Sequence, residues 1–306
     1  MRRIPLLPVL LVVGTIIASR LSPNFLDVRY LLDSATLYVE AGLIALAMTY
    51  VIASGNIDLS VASNVVLTAC LAAKLLEKGW SPTSVVAASC CIGMSFGLLN
   101  GLLVARLKLP SFLVTLGTMA IMRGAAQALL GASSVKVPKG FTGIDQHIVA
   151  GVPIPVWILL AFFVPFVLIF HRTIFGRWIM ALGGNEKAAI YSGLPVNGLK
   201  VGVFGLNGLM CGVSAVLLIS RLGVARHDLA RGLELDAITM VVVGGTAISG
   251  GNGTIGGTVG ALLLVMLIKT AMGVAGIKAE YQLVAIGLLL IVSVAVGQAK
   301  HQQSNA

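Results

Sequence analysis

Residues 237–268 carry no charged side chain. As one straight helix they would reach about 48 Å, against a bilayer hydrocarbon core about 30 Å thick. A single span is therefore excluded. The polar, glycine-dense run Ser249-Gly250-Gly251-Asn252-Gly253-Thr254 is the natural turn, and it divides the region into two helices. Residues 152–170 and 201–220 are each an uncharged run of spanning length. Two more regions have room for two helices each: 36–76, broken at Gly55-Asn56-Ile57-Asp58, and 79–131, broken at Arg106-Leu107-Lys108-Leu109-Pro110. Only 10% of the residues are charged and 58% are hydrophobic, where a soluble domain carries about 25% charged residues. These proportions exclude a soluble globular enzyme, a disordered chain and a nucleic-acid-binding domain. They leave a polytopic membrane protein.

The runs predict an all-α integral membrane protein of about ten transmembrane helices in a single polytopic bundle, some of them short or broken. The expected spans are 4–19, 36–54, 59–75, 84–104, 110–130, 153–170, 198–219, 235–249, 254–272 and 281–297. The first follows Met1-Arg2-Arg3 and is either a signal peptide ending near Ala18-Ser19 or an uncleaved first helix; the poor small-x-small pattern favours the helix. An even count puts both termini on one side. Lysine and arginine divide almost evenly between the two sides, so charge alone does not decide which side is cytoplasmic. The polar stretches 131–151, 171–197 and 220–236 are too short to fold cores of their own, so the chain 1–306 reads as one membrane domain. The net charge of +10 suits membrane interfaces and anionic lipid headgroups; no basic cluster interleaved with aromatics points to nucleic acid.

Several motifs resolve into packing. Gly93, Gly97 and Gly101 are spaced by four, as are Gly208 and Gly212, Gly253 and Gly257, and Gly256 and Gly260. Such spacing lets helix backbones approach closely in lipid. Gly251-Asn252-Gly253-Thr254-Ile255-Gly256 matches a dinucleotide fingerprint but lacks the βαβ setting and the acidic partner. Gly93-Met94-Ser95-Phe96-Gly97 matches a nucleophile elbow, yet it falls inside an apolar span. The chain has no P-loop or H-E-x-x-H sequence. Cys70, Cys90, Cys91 and Cys211 lie in apolar stretches, and the histidines are scattered, so neither disulfides nor a metal site is expected.

Asp58 sits between two apolar segments. Its carboxylate either caps a helix start, the favoured reading, or belongs to a translocation path. Glu40 reads as interfacial rather than buried. Arg123 and Gln127, one turn apart, either line a polar cavity or snorkel to an interface. Within 171–197, Glu186 to Tyr191 form a short helix opened by Asn185 and stopped by Ser192-Gly193 and Pro195. It is either a connector or a docking surface.

Four segments together resemble the permease subunit of a sugar-importing ABC transporter, of the ribose, xylose, rhamnose and autoinducer-2 type. They are Gly55-Asn56-Ile57-Asp58-Leu59-Ser60-Val61; Gly97-Leu98-Leu99-Asn100-Gly101 running to Pro110 and Ser111 through Thr118; Leu182 through Ala189 to Ser192-Gly193; and Glu234 through Gly244-Gly245-Thr246 to Gly257. The likeness covers about 35–297. Asn56 departs from it, standing where the family more often has glycine. The resemblance implies a cytoplasmic coupling helix in the 171–197 loop for a separate ATPase, carried by Gly183, Gly184, Asn185, Glu186, Ala188, Ala189, Ser192 and Gly193. It implies cytoplasmic N- and C-termini in the bacterial inner membrane. It also implies a periplasmic loop, about 220–236, meeting a sugar-binding protein through Arg221, Arg226, Asp228, Arg231 and Glu234. Asn56, Asp58, Ser60, Asn100, Thr115, Thr118 and Arg123 become candidates for the translocation path or gate. ATP and magnesium would sit on the partner ATPase, a second permease copy or paralogue would complete the path, and the chain would hold no cofactor and catalyse no chemistry itself. The alternatives are an ion-driven secondary carrier relying on Asp58 and Arg123, with Glu40 third, and a branched-chain amino acid ABC permease. A membrane enzyme would need a catalytic cluster that the sequence lacks.

Overall fold

The computed structural model describes residues 6–21 and 25–305. Its helices are α1 (Leu6–Leu21), α2 (Val28–Thr36), α3 (Val39–Ala53), α4 (Val61–Glu77), α5 (Pro82–Arg106), α6 (Ser111–Leu130), α7 (Ile154–Arg172), α8 (Ile174–Gly184), α9 (Glu186–Tyr191), α10 (Val196–Leu222), α11 (Leu233–Val243), α12 (Ile255–Val274) and α13 (Ala279–Asn305). Local signals set the boundaries. Ser81 accepts the Ser84 amide ahead of Pro82, Thr254 accepts the Gly257 amide to open α12, and Gly223 leaves α10 with φ of 66°.

Five of these helices, α5, α6, α7, α10 and α12, are long and apolar enough to cross a bilayer; α2 and α3, bent by 65° at their junction, make a sixth if they are one span. That is fewer than the expected ten. Three inner helices are short: α3 has 15 residues, α4 has 17 and α11 has 11. The segment expected as a helix over 235–249 leaves helical geometry after Val243, because Gly245 takes φ of 95° and turns the chain aside. The helix α8 was not anticipated within 171–197, whereas α9 spans the residues predicted for it. Four two-residue strands also depart from an all-α chain: β1 (Val135–Lys136), β2 (Ile148–Val149), β3 (Val152–Pro153) and β4 (Val224–Ala225). Antiparallel β1 and β4 pair Val135 with Ala225, and β2 and β3 form a hairpin.

Every residue of α3 is buried, and α4 and α11 are mostly so. The longer helices sheathe them. The most intimate packing joins α5 to α10. A β-carbon on Gly97 would lie 2.2 Å from the Phe204 carbonyl oxygen, and one on Gly208 would lie 2.4 Å from that of Gly93. Lipid offers no hydrophobic drive for helices to associate, so close backbone approach at small residues does this work. The pair extends the glycine spacing seen in the sequence. At the chain's start, α1 packs on α12, with Leu267 over Gly14.

The helix α10, about 40 Å long at 1.5 Å per residue, separates two ends of the bundle. Beside its first turn stand α8 and α9; two non-helical breaks, 54–60 and 244–254, meet the end of α8, and Asp58 in the first reaches Asn207 near the middle of α10. Beyond its last turn lie β4 and the paired β1.

Candidate functional site

The α9 end presents a compact surface. Asn185 accepts the Ala188 amide at 3.0 Å and so starts the helix. Ala189 turns inward and packs with Leu182, Val196 and Leu199, while Lys200 of α10 donates to Glu186 at 2.7 Å. Those contacts fix α9 against its neighbours. Gly184, Asn185, Glu186, Ala188, Ser192 and Gly193 are exposed; Gly183 is half-buried. Two exposed apolar side chains were absent from the predicted set: Ile190, and Tyr191 at 91% exposure. A tyrosine standing free on a short, braced helix suits a protein partner, since its large ring adds contact area with few rotors to freeze.

Next to this end lies a polar network. Asp58 is 2% exposed. Its Oδ1 accepts from the Ser60 amide at 2.9 Å and the Ser60 hydroxyl at 2.6 Å, and its Oδ2 accepts from Asn207 Nδ2 at 3.0 Å. Asn100 donates to the Ser60 hydroxyl at 2.8 Å. Thr115 donates to the Ile57 carbonyl, and the Ser111 hydroxyl accepts the Ile57 amide. Asn56 instead bonds back to Ser54 at the end of α3. Asp58, Ser60, Asn100 and Thr115 are thus brought together. Thr118 bonds its own helix at Thr115, and Arg123 stands two turns further along α6, its buried Nε without a partner among the described residues. The carboxyl precedes the N-terminus of α4 and accepts backbone and side-chain donors there, close to the expected cap. The helix cap itself is Ser60. Asn207 was missed: nothing in an apolar helix marks which of its rare amides faces a distant carboxylate.

At the opposite end the charges sort into two kinds. Glu40, expected at an interface, is 4% exposed and accepts from Arg221 Nε at 3.0 Å. Glu40 stands in the first turn of α3 and Arg221 in the last turn of α10, so the pair also opposes both helix dipoles favourably. Arg221 is therefore turned into the bundle. Asp236 of α11 makes a similar partly buried pair with Lys269 of α12, at 2.5 Å. Arg226 and Arg231 are exposed, while Asp228 and Glu234 are partly buried. Arg226 grips Asp228 through two nitrogens, and this bonding holds the Asp228 carboxyl below its usual range. A cleft of about 510 Å³ opens at this rim between α2 and the β2–β3 hairpin, lined by Asp27, Arg29 and Asp33 among others.

Two motif matches dissolve. Ser95 lies mid-helix in α5 and donates to the Cys91 carbonyl one turn back. Gly251 to Gly256 follows helix α11 and a loop rather than a strand.

A family described as "Branched-chain amino acid transport system / permease component" matches residues 30–294. The chain is 36% identical over 289 residues to the ribose import permease protein RbsC of Bacillus subtilis, a match covering 93% of this chain and 89% of that protein. It is 34% identical to RbsC of Escherichia coli K12, over 93% and 90% of the two chains. The autoinducer 2 import system permease protein LsrD of Klebsiella pneumoniae is 34% identical, over 93% and 88%. No solved structure matches. The matches span nearly the whole chain and agree with its apolar helical bundle; this chain belongs to that family of transport-system permease components, as a multi-pass membrane protein.

Proposed function

We propose that this chain is the membrane-spanning subunit of an ATP-driven importer for a monosaccharide or a related small polyhydroxy solute. Its chief support is α9, a braced six-residue helix exposing Ala188, Ile190 and Tyr191. A separate ATPase docks there, and the α9 end is cytoplasmic, with both termini on that side. The relatives named for ribose and autoinducer 2 favour polyhydroxy solutes over branched-chain amino acids. The chain crosses the inner membrane ten times in this reading, with α3, α4 and α11 included. Their shortness is tolerated because neighbouring helices sheathe the broken backbone at their ends. A second permease copy or a paralogue completes the path. At the other end, Arg226, Asp228 and Arg231 offer a polar, transient contact for a periplasmic binding protein.

The test is to tag the C-terminus, purify the chain gently from its native membrane and identify its companions. A co-purifying P-loop ATPase and a solute-binding protein are expected, and the ligand held by the latter names the substrate. Absence of an ATPase, under conditions that preserve a known ABC complex, would favour an ion-driven carrier. Gly184→Trp sharpens the docking claim. A β-carbon there would meet only Gly251 Cα, at 4.0 Å, so the fold tolerates a side chain pointing outward. Uptake should fall by about tenfold or more with membrane insertion intact; normal uptake counts against docking at this surface.

A further inference from the structure

Three stretches far apart in sequence meet beside α9 with no side chain between them. They are Ala53 to Gly55 at the end of α3, Gly183-Gly184 at the end of α8, and Gly250-Gly251 in the break between α11 and α12. A β-carbon on Gly183 would lie 2.0 Å from the Ala53 carbonyl oxygen and 2.5 Å from Gly251 N. One on Gly250 would lie 2.7 Å from Gly55 N and 2.9 Å from Gly183 Cα, and one on Gly251 would lie 2.8 Å from Gly184 Cα. The Gly251 amide donates to the Ala53 carbonyl at 2.9 Å. Gly55, Gly250 and Gly251 all hold positive φ, at 79°, 84° and 77°. Gly183, Gly250 and Gly251 thus need glycine for space, and Gly55, Gly250 and Gly251 need it for conformation.

Backbone packed on backbone has little compliance. Side chains absorb displacement by changing rotamer, whereas peptide groups in van der Waals contact must move together or clash. The same junction is continuous with both helix breaks. One leads within a few residues to Asp58, bonded to Asn207 of α10, and to Ser60, bonded to Asn100 of α5; the other leads into α12. The aromatic cluster of Tyr50, Phe166, Phe170 and Phe175 further ties α3 to α7 and α8, with the Tyr50 hydroxyl donating to the Phe166 carbonyl.

We infer that this glycine junction positions the two helix breaks for transport: displacement of α8 and α9 is carried through Gly183 to Gly55 on one side and to Gly250-Gly251 on the other. Gly55, Gly250 and Gly251 are then positioning residues, acting on the path through the breaks they hold. The inference rests on the importer reading, since it takes the ATPase as the source of the displacement.

The experiment uses the complete importer, with its ATPase and binding protein, in proteoliposomes. The wild-type complex comes first: if it shows no ATP-dependent uptake, the importer reading fails and the junction is not at issue. Given wild-type uptake, Gly250→Ala should keep the ATPase bound while solute imported per ATP hydrolysed falls by about tenfold. A merely structural role would lower uptake and stimulated hydrolysis in parallel, leaving their ratio unchanged, and that result would overturn the inference. Gly256→Ala is the matched control, because a β-carbon there meets nothing within 4 Å. Should Gly250→Ala fail to fold, hydrogen exchange on the wild-type complex decides. A non-hydrolysable ATP analogue should alter exchange in 54–60, 179–186 and 247–253 together; a change confined to 179–186 would sink the idea.

Discussion

The breaks at 54–60 and 244–254 meet the same difficulty by different means. Non-helical backbone inside a membrane protein must find hydrogen-bond partners within the protein or in a wet cavity. In the first break, side chains supply them. Asn56, Asp58 and Ser60 are buried, while Gly55, Ile57 and Leu59 between them are more open. This alternation is that of an extended segment with its polar edge turned inward, the reverse of a strand on a soluble protein. Donors from α5, α6 and α10 then lock it in place. The second break carries no charge and is partly open. Its own backbone closes the turns, through Ala247 with Asn252 and Gly250 with Ala247, and a single bond reaches Ala53. The first is therefore cross-linked to three other helices and the second is held chiefly by itself. The second should therefore contribute less to stability than the first.

Substitutions can break this distinction. The largest effect should come from Asp58→Ala, which strips the Ser60 amide, the Ser60 hydroxyl and the Asn207 amide of their acceptor. A stability loss of about 3 kcal/mol is expected, read from thermal unfolding in detergent. Asp58→Asn should likewise lower stability more than it alters solute preference; a changed preference with normal expression would put Asp58 in the path instead. Removing the partner is the next test. Asn207→Ala leaves one carboxyl oxygen of Asp58 without its donor and should cost about 2 kcal/mol. The smallest effect is expected in the second break: Thr254→Ala deletes the cap on the Gly257 amide and should cost about 1 kcal/mol. If Thr254→Ala proves as damaging as Asp58→Ala, the two breaks are equally fixed and the contrast falls.

Most of the bundle was legible in the residues. Uncharged runs located the helices, because a charge at bilayer depth is expensive and its absence is visible in any sequence. The glycine spacing on α5 and α10 announced close packing, and Asn185 announced α9. Family likeness rested on four such segments, and the comparisons agree with it. Other features were hidden. The early end of α11 depended on Gly244-Gly245 rather than on the more glycine-rich run after Ser249, and two adjacent glycines do not say which will take positive φ. Glu40 looked interfacial, since its position near a helix start says nothing about Arg221, 181 residues away.

By itself, then, the sequence determined that the chain is a helical membrane protein, roughly where its helices run, and which polar residues are too costly to be idle. Only the tertiary structure decided which of them meet. Period and hydropathy are local properties and can be read from neighbours in the chain. The pairing of Asp58 with Asn207, of Glu40 with Arg221, and of Gly183 with Gly55 and Gly250 joins residues far apart in sequence, and it exists only once the helices have packed.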